Sequence, residues 1–291
     1  MTRVLELFAG LGGVAEALRG VPGVEVIAAV DHDEAAHRAY TANFDHPAHR
    51  LNLASVRDER LARFEVDAWW MSPPCQPFTV RGRRRDVDDP RCGALLRLVD
   101  AIPAVRPRRI GLENVPGFAG SIAHTRLLAT LRAEGYAFAQ VERCPTELGI
   151  PGERRRFYLL ADRQDDVTIP SGVGAPRPLA DYLDAEPDDA LFVPPEIVER
   201  YTGGLAIVDP DTPGATAHCF TAAYGRSWVY SGSYLRDGAR VRRFSPREIL
   251  RLLGFSDAYG LPDVARLPKR YKLVGNSLSV DVVRGLLGSS W

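Results

Sequence analysis

The sequence predicts an α/β chain: a mostly parallel sheet with helices on both faces, plus a smaller irregular lobe. Short apolar runs alternate with helical patterns through the first 160 residues. The apolar runs are nearly continuous, which is typical of strands covered on both faces of a sheet. The alternation stops after residue 162 and order returns near residue 245. These three observations predict one large domain that is interrupted by a lobe.

Six strands and four helices are predicted in the first part of the chain. Because the two element types alternate, neighbouring strands are expected to be parallel and joined by helices. The predicted strands are Val4–Phe8, Val24–Val30, Ala68–Met71, Arg109–Leu112, Ala137–Val141 and Phe157–Ala161. The predicted helices are Val14–Arg19, Glu34–Asn43, Leu95–Ile102 and Thr125–Glu134.

The remainder of the chain divides into a lobe and a returning segment. Residues 163–242 carry many Pro and Gly residues and acidic turns, which indicates an irregular lobe. Ser245-Pro246-Arg247-Glu248 is a capping box that predicts a helix through Leu253, ended by Gly254. A last helix is predicted over Val280–Leu287. We therefore assign residues 1–162 to a large domain, 163–242 to the lobe and 243–291 to a segment that returns to the large domain.

Composition excludes several classes of protein. The chain has 291 residues, of which 45% are apolar, and no run of about eighteen apolar residues that a membrane span needs. Met1-Thr2-Arg3 leads directly into the first predicted strand, so we expect no secretory leader. Four widely spaced Cys argue against a disulfide framework and against a zinc site. We expect a cytoplasmic protein that binds no metal.

Charge is balanced overall but unevenly distributed. Lys and Arg total 37 and so do Asp and Glu, so net charge gives no support for a nucleic-acid partner. Residues 181–211 hold nine acids and one Arg, whereas residues 236–291 hold eleven bases and five acids. A basic face could bind a polyanion. On charge alone, solvated surface charges are the better interpretation.

A glycine-rich turn follows the first predicted strand. Gly10-Leu11-Gly12-Gly13-Val14-Ala15 fits the Rossmann-like pattern G-x-G-x-x-G/A, and Asp31 follows the next strand. Glycines admit a ligand close to the backbone, and the acid can bind ribose hydroxyls. The turn therefore favours an adenosine cofactor over a tight turn without a ligand. It does not distinguish NAD, FAD and S-adenosylmethionine.

A proline-pinned cysteine follows another buried strand. In Ser72-Pro73-Pro74-Cys75-Gln76-Pro77, the prolines force an extended backbone, so Cys75 lies at the carboxyl end of a strand. Ligands of open α/β sheets bind at that edge. Cys75 is either an inert buried thiol or a nucleophile activated by nearby Arg, and the residues alone leave both readings open.

An acid and two arginines complete this constellation. Glu113 ends the strand that begins at Arg109, so it is expected at the same sheet edge as Cys75. It is either a proton donor or acceptor, or a surface acid paired with an Arg. Strand alternation would put Arg154 and Arg156 on one side, where buried guanidiniums need an anion or a carbonyl.

Together these motifs resemble the cytosine-5 methyltransferase family. The matching segments span residues 4 to about 287 and are Phe8-Ala9-Gly10-Leu11-Gly12-Gly13, Pro73-Pro74-Cys75-Gln76, Glu113-Asn114-Val115, Arg154-x-Arg156 and Gly275-Asn276-Ser277-Leu278. The resemblance implies S-adenosylmethionine as the cofactor. A narrower likeness is to the branch that methylates an anticodon-loop cytosine in transfer RNA, best known in tRNA-Asp. It is carried by Leu148-Gly149-Ile150-Pro151, Asp89-x-Arg91 and Cys219-Phe220-Thr221 followed by Tyr224-Gly225.

The resemblance implies roles for individual residues. Cys75 would attack cytosine carbon 6, Glu113 would bind ring nitrogen 3, and Arg156 would bind the ring carbonyl with support from Arg154. The implied cofactor contacts are Phe8, Gly10, Leu11, Gly12, Asp31, His32, Leu53, Ser72, Asn276 and Ser277. The expected nucleic-acid contacts are Arg81, Arg83, Arg84, Cys219, Phe220, Thr221, Lys269 and Lys272.

The leading hypothesis is a monomeric tRNA cytosine-5 methyltransferase in which residues 163–242 form a target-recognition lobe. The runner-up is a DNA cytosine-5 methyltransferase with a reduced lobe. A third reading, a nucleic-acid-binding protein on an inactive scaffold, is disfavoured because Cys75, Glu113 and the glycine turn are intact. An NAD oxidoreductase has support only from the turn.

Overall fold

The computed structural model describes residues 1–79, 85–261, 266–288 and 291. The chain forms two compact units. The first unit contains residues 1–143, 155–171 and 283–291, and the second contains residues 144–154 and 172–282. This division differs from the domain boundaries expected from the sequence. Residues 144–154 and most of the C-terminal segment lie in the second unit.

The first unit contains a mixed sheet of seven strands in the described part of the chain. These are β1 (Thr2–Leu7), β2 (Val24–Asp31), β3 (Ala48–Arg50), β4 (Ala68–Met71), β5 (Arg109–Asn114), β6 (Ala137–Arg143) and β7 (Arg156–Asp162). Their spatial order is β3-β2-β1-β4-β5-β7-β6. Strand β7 runs in the direction opposite to the other six strands. The expected α/β class is confirmed. The edge strand β3 was missed because its three residues, two half-buried and one exposed, carry no strand pattern.

Helices connect these strands. They are α1 (Gly13–Leu18), α2 (Glu34–Thr41), α3 (Asp58–Ala62), α4 (Gly93–Val105) and α5 (Ile122–Ala133). Local chemistry sets their ends. The Asp33 carboxylate accepts from two amides at the start of α2, and the Ser121 hydroxyl accepts the His124 amide at the start of α5. Arg106 ends α4 in the left-handed region, with φ 52°.

The core of the first unit lies on both faces of the central strands. All four residues of β4 are buried, so its side chains pack alternately into opposite faces. Trp69 joins the apolar cluster that includes α4 and α5 residues. Trp70 faces the other way and meets the ring of Trp291 at 6.0 Å between centroids. Gly111 makes room for Trp70, since a Cβ there would lie 2.4 Å from the indole.

The second unit is built around a smaller sheet of three strands among its described residues. These are β8 (Ala206–Val208), β9 (Ser233–Asp237) and β10 (Arg240–Arg243), where β9 and β10 form an antiparallel hairpin. Its helices are α6 (Pro195–Arg200), α7 (Pro246–Leu252) and α8 (Leu267–Asn276). A final helix, α9 (Val280–Leu287), continues into the first unit from residue 283. The predicted capping box at Ser245 and the termination of α7 before Gly254 are both confirmed.

A buried ion pair holds the second unit together. The Glu248 carboxylate, which is inaccessible to solvent, accepts both terminal nitrogens of Arg242 at 2.9 Å each. It also accepts the Ser245 amide at 2.7 Å and the Asp184 amide at 2.9 Å. A buried charge with this many donors is well satisfied. Loss of one partner would leave the other charge uncompensated.

We expect Arg242→Met to lower the free energy of unfolding by about 3–5 kcal/mol, because Glu248 would keep a buried charge without its cation. Urea unfolding followed by circular dichroism measures this change. Arg236→Met on the neighbouring strand is the matched control, since Arg236 is exposed. That control should change stability by no more than about 0.5 kcal/mol. Equal losses of unfolding free energy for the two variants would contradict a stabilising role of the Arg242–Glu248 pair.

Candidate active site

The strand order of the first unit reverses at β1 and β4. From β1 the chain proceeds outward to β2 and β3, then crosses back to place β4 on the other side of β1. Leu7, Met71 and Leu112 are aligned across β1, β4 and β5. The segments that follow these three residues therefore emerge side by side at the carboxyl edge, where open α/β sheets bind ligands. They are the glycine turn, the cysteine loop and Glu113.

The glycine turn has an unusual backbone. Phe8, Gly10 and Gly12 all lie in the left-handed region, with φ of 58°, 55° and 78°. A Cβ on Gly12 would lie 2.4 Å from the Phe44 ring, so this glycine is required for packing. A Cβ on Gly10 would meet no atom within 4 Å, so the backbone there faces open space. Such a turn admits a ligand close to the main chain.

Other residues predicted to bind the cofactor lie in the same unit. The Asp31 carboxylate accepts the Gly10 amide at 2.9 Å and the Asp33 amide at 2.8 Å, which fixes it beside the turn. The His32 side chain is 79% exposed, with Nδ1 3.7 Å from Asp31. Leu53 is buried, and Ser72 accepts the Trp70 indole N–H at 3.0 Å. An open backbone beside a fixed carboxylate fits an adenosine cofactor.

Glu6 binds backbone amides of the glycine turn, and this role was not predicted from the sequence. Its buried carboxylate accepts the amides of Val14 and Ala15, at 2.9 and 3.3 Å, and the Tyr40 hydroxyl at 3.0 Å. The Tyr40 oxygen lies 2.7 Å from Nε2 of His46. Burial raises the pKa of Glu6 from 4.5 to about 7, although these hydrogen bonds oppose the rise. An acid four residues before Gly10 was the available sequence signal.

The raised pKa of Glu6 predicts a pH-dependent stability. A folded-state pKa of about 7 against 4.5 in the unfolded chain gives stability that is present below pH 4.5 and lost as the pH rises to about 7. The loss is about 3 kcal/mol. Glu6→Gln should remove this contribution, as measured by urea unfolding between pH 4.5 and 8. Glu25→Gln, at an exposed position, is the control. Parallel pH profiles for Glu6→Gln and the unaltered chain would contradict the prediction.

The cysteine loop is tethered on both sides of Cys75. The Asn114 side-chain amide donates to the carbonyl of Pro73 at 3.2 Å. The Phe78 amide donates to the carbonyl of Cys75 at 2.9 Å, and the Phe78 and Phe118 rings meet edge to face at 5.0 Å. Cys75 itself is half-buried. The loop thus holds a partly accessible thiol at a fixed place on the sheet edge.

A cation lies within electrostatic reach of Cys75. Arg91 donates to both carboxylate oxygens of Asp89, at 2.9 and 2.6 Å, which lowers the pKa of Asp89 to about 2. Asp89 raises the pKa of Arg91, and the charge of Cys75 contributes to the same rise. Arg91 thus carries a positive charge near the loop of Cys75. In the sequence, the Asp89-x-Arg91 motif was the only sign of this ion pair.

Glu113 pairs with Arg156 across β5 and β7. The Arg156 Nε lies 3.2 Å from a Glu113 carboxylate oxygen, and Glu113 is only 8% exposed. Glu113 is therefore oriented by a cation and shielded from water at the edge where β5 ends. Glu113 is thus paired with an Arg, as the second reading expected, but it is buried rather than on the surface.

Arg154 has a different environment, in the second unit. Strand β7 begins at Arg156, so the expected strand alternation does not extend to Arg154. The buried Arg154 guanidinium donates to the carbonyls of Phe220 and Gly275, each at 3.2 Å, and to the carbonyl of Ser277. Its guanidinium lies 3.6 Å from the sulfur of Cys219. Arg154 thus joins the Cys219-Phe220-Thr221 segment to the end of α8.

The remaining predicted residues of the second unit differ in exposure. The Phe220 ring is buried against Phe244, 4.9 Å between centroids, so it packs in the aromatic core. Cys219 and Thr221 are half-buried, as are Lys269 and Lys272 on α8, whereas Asn276 is exposed and Ser277 buried. Arg81, Arg83 and Arg84 lie outside the described residues.

The Leu148-Gly149-Ile150-Pro151 segment has a packing explanation. Gly149 has φ 77°, and a Cβ there would lie 1.9 Å from the carbonyl oxygen of Ala175. A Cβ on Gly174 would lie 2.1 Å from the carbonyl oxygen of Leu148. Two backbone segments thus cross in direct contact, which only glycine permits.

The described ranges also bear on membrane spans and metal sites. Of the helices there, none is long and apolar enough to cross a membrane. Those residues contain no group of three or more His, Cys, Asp or Glu side chains positioned to hold a metal ion.

The chain matches a known protein family over most of its length. The C-5 cytosine-specific DNA methylase family matches residues 2–181 and 214–289. The chain belongs to that family. It is therefore a cytosine-5 methyltransferase. The match contains the glycine turn, Cys75, Glu113 and Arg156 and omits most of the acidic stretch of the second unit.

Individual members of the family match this methylase over nearly its whole length. The tRNA (cytosine(38)-C(5))-methyltransferase of Schizosaccharomyces pombe is 32% identical, with 98% of this chain and 95% of that protein covered. The enzyme of the same name from Bos taurus is 30% identical, with 98% of each covered. The crystal structure of the Schizosaccharomyces pombe Dnmt2 methyltransferase is 29% identical, with a TM-score of 0.89, and covers 99% of this chain and 98% of that one.

Proposed function

We propose that this protein methylates carbon 5 of an anticodon-loop cytosine in transfer RNA, with tRNA-Asp as the expected substrate and S-adenosylmethionine as the methyl donor. The names of the similar enzymes support a tRNA substrate. One observation carries the chemistry. Cys75 follows β4, Glu113 lies at the end of the neighbouring β5, and Arg156 begins the antiparallel β7, so all three lie at one sheet edge.

Each residue has a physical role in this proposal. Cytosine carbon 5 is a poor nucleophile, so the Cys75 thiolate adds to carbon 6 and converts the ring to an enamine. Glu113 protonates or hydrogen-bonds ring nitrogen 3, where charge develops during the addition. Arg156 holds Glu113 in place and binds the ring carbonyl. Carbon 5 of this enamine would then take up the methyl group that the cofactor supplies. A base removes the carbon 5 proton, which lets Cys75 leave and restores the aromatic ring.

The glycine turn provides the site for S-adenosylmethionine. When bound, this cofactor supplies an electrophilic methyl group on a sulfonium. Gly10 lets the main chain approach it, and Asp31 binds its ribose hydroxyls. Phe8, Leu11, Gly12, His32, Leu53 and Ser72 are proposed as further contacts. Asn276 and Ser277 stay predictions from the family resemblance.

An unpaired target is favoured on energetic grounds. A base must leave its stack to reach a thiol on a sheet edge, and that cost is lower for a loop than for a duplex. We propose residues 163–242 as the recognition lobe and expect the enzyme to act as a monomer in the cytoplasm, where Cys75 stays reduced. Duplex DNA is the second candidate substrate, since the family takes its name from DNA methylation.

The test offers tritiated S-adenosylmethionine with unmodified tRNA-Asp or with a mixed-sequence duplex DNA. We expect label in the tRNA, lost when the anticodon-loop cytosine is replaced by uridine. Because phosphates contribute to binding, incorporation should fall steeply with salt. Label in the DNA alone would reject the RNA proposal and favour the second candidate. Label in neither would leave an inactive scaffold, to be examined by calorimetry of cofactor binding.

A further inference from the structure

A loop of the second unit, residues 226–232, contains an aromatic residue with a rare backbone conformation. Tyr230 has φ 59° and is 75% exposed. In the left-handed region the Cβ of an L-residue crowds its own backbone, which costs free energy that glycine avoids. The residue is largely exposed, so burial offsets little of this cost. A strained, exposed tyrosine therefore suggests that the ring itself has a role.

The loop is held in place beside the Cys219-Phe220-Thr221 segment. The Thr221 amide donates to the carbonyl of Ser231 at 2.8 Å, and Ser231 directly follows Tyr230. The Ser231 hydroxyl donates to the carbonyl of Ser227, also at 2.8 Å. A Cβ on Gly232 would lie 2.5 Å from the Phe220 ring. Tyr230 is thus fixed next to the segment already expected to contact nucleic acid.

Cations accompany the aromatic residues of this loop. The Arg243 guanidinium lies 3.9 Å from the centre of the Trp228 ring, and the Tyr234 ring stacks on Trp228 at 6.2 Å. Arg226, within the loop, is exposed. Proteins that bind single-stranded nucleic acid combine these two features, because aromatic faces stack on bases while cations hold phosphates.

A basic helix borders the same loop. A Cβ on Gly225, the residue directly before the loop, would lie 2.8 Å from Pro268 and 2.9 Å from the Tyr271 ring, both on α8. The first two turns of α8 also carry Lys269, Arg270 and Lys272. Aromatic rings and positive charge therefore occur on neighbouring segments of the second unit, which are the loop of the strained tyrosine and α8.

We propose that Tyr230 stacks on an unpaired base of the RNA substrate, a nucleotide other than the target cytosine. Lys269 and Arg226 would hold phosphates next to that base. This inference rests on the proposed RNA substrate and names one point of its recognition. Stacking would add affinity with little sequence preference, since every base presents a π face.

The test compares Tyr230→Gly and Tyr230→Phe in the full chain. Fluorescence anisotropy gives Kd for an unmodified tRNA transcript, and initial rates give KM and kcat. Tyr230→Gly should weaken binding about tenfold and raise KM in proportion, with kcat unchanged. Tyr230→Phe keeps the ring and should bind like the unaltered chain.

The salt dependence separates stacking from charge. The slope of log K against log salt should be the same for Tyr230→Gly and the unaltered chain, because a phenol neutralises no phosphate. Lys269→Ala, the matched control, should reduce that slope by about one. A reduced slope for Tyr230→Gly would overturn the stacking assignment.

Thermal melting tests whether the ring serves the fold instead. Glycine relieves the backbone strain, so the Tm of Tyr230→Gly should be unchanged or higher. A lower Tm would assign the ring to stability and overturn the proposal. If the unaltered chain methylates tRNA but Tyr230→Gly keeps its Kd and KM, only the stacking proposal fails. If the unaltered chain neither binds nor methylates tRNA, the proposed function fails and this inference fails with it.

Discussion

Cys75→Ala is expected to lower methyl transfer by about four orders of magnitude or more, because it removes the proposed nucleophile. Folding should be little affected, since Cys75 is half-buried and the loop is held by Asn114 and Phe78 rather than by the thiol. Binding of S-adenosylmethionine should persist, since the glycine turn is unchanged. Tritium transfer to tRNA and calorimetry of cofactor binding measure the two properties separately.

Cys92→Ala is the matched control for this experiment. Cys92 is buried, and burial raises its pKa to about 11, so it stays a thiol at neutral pH. Its loss should leave catalysis intact. A tRNA carrying 5-fluorocytidine gives a direct test, because fluorine blocks removal of the carbon 5 proton and traps the adduct. A Cys75→Ala enzyme with substantial turnover, or no trapped adduct on the unaltered enzyme, would contradict covalent catalysis.

Glu113→Gln should lower kcat by about 10²–10⁴-fold, the range that general acid–base catalysis contributes. The amide oxygen can still accept from Arg156, so the local geometry is preserved while the acid function is lost. KM for tRNA and the melting temperature should change little. Steady-state kinetics with tRNA and a thermal melt provide the measurement.

Glu142→Gln, on an exposed position of β6, is the control for charge alone. Adduct trapping with 5-fluorocytidine adds a second readout, since Glu113→Gln should slow the formation of the adduct as well as turnover. If Glu113→Gln raised KM but left kcat unchanged, Glu113 would serve binding rather than proton transfer. If Glu113→Gln formed the adduct at the unaltered rate, Glu113 would likewise have no part in proton transfer.

The fold was predictable because its strands are buried on both faces. A strand such as β4 must then be apolar at every position, and this leaves a strong signal in the sequence. The capping box at Ser245 was equally clear, because its bonds join residues three apart. Strand β3 left no such signal, since a three-residue edge strand in which no residue is buried needs no apolar pattern.

The sequence also predicted the edge of the sheet where the candidate site lies. Residues that follow β1, β4 and β5 must meet at one edge if these strands are parallel, so Cys75 and Glu113 could be grouped in advance. The arginines that lie near Cys75 and Glu113 could not be predicted from strand order. The chain has 35 arginines, and proximity in sequence does not decide which of them reaches a given carboxylate.

Tertiary structure decided those partners. Arg154 and Arg156 are two residues apart, yet one binds carbonyls in the second unit and the other pairs with Glu113 in the first. Glu6 holds the glycine turn through amides eight and nine residues away. The sequence by itself determined the elements, their order and the residues that carry the chemistry, because these follow from local patterns. Only the folded chain decided which charges meet and which rings are buried, because those contacts join residues far apart in sequence.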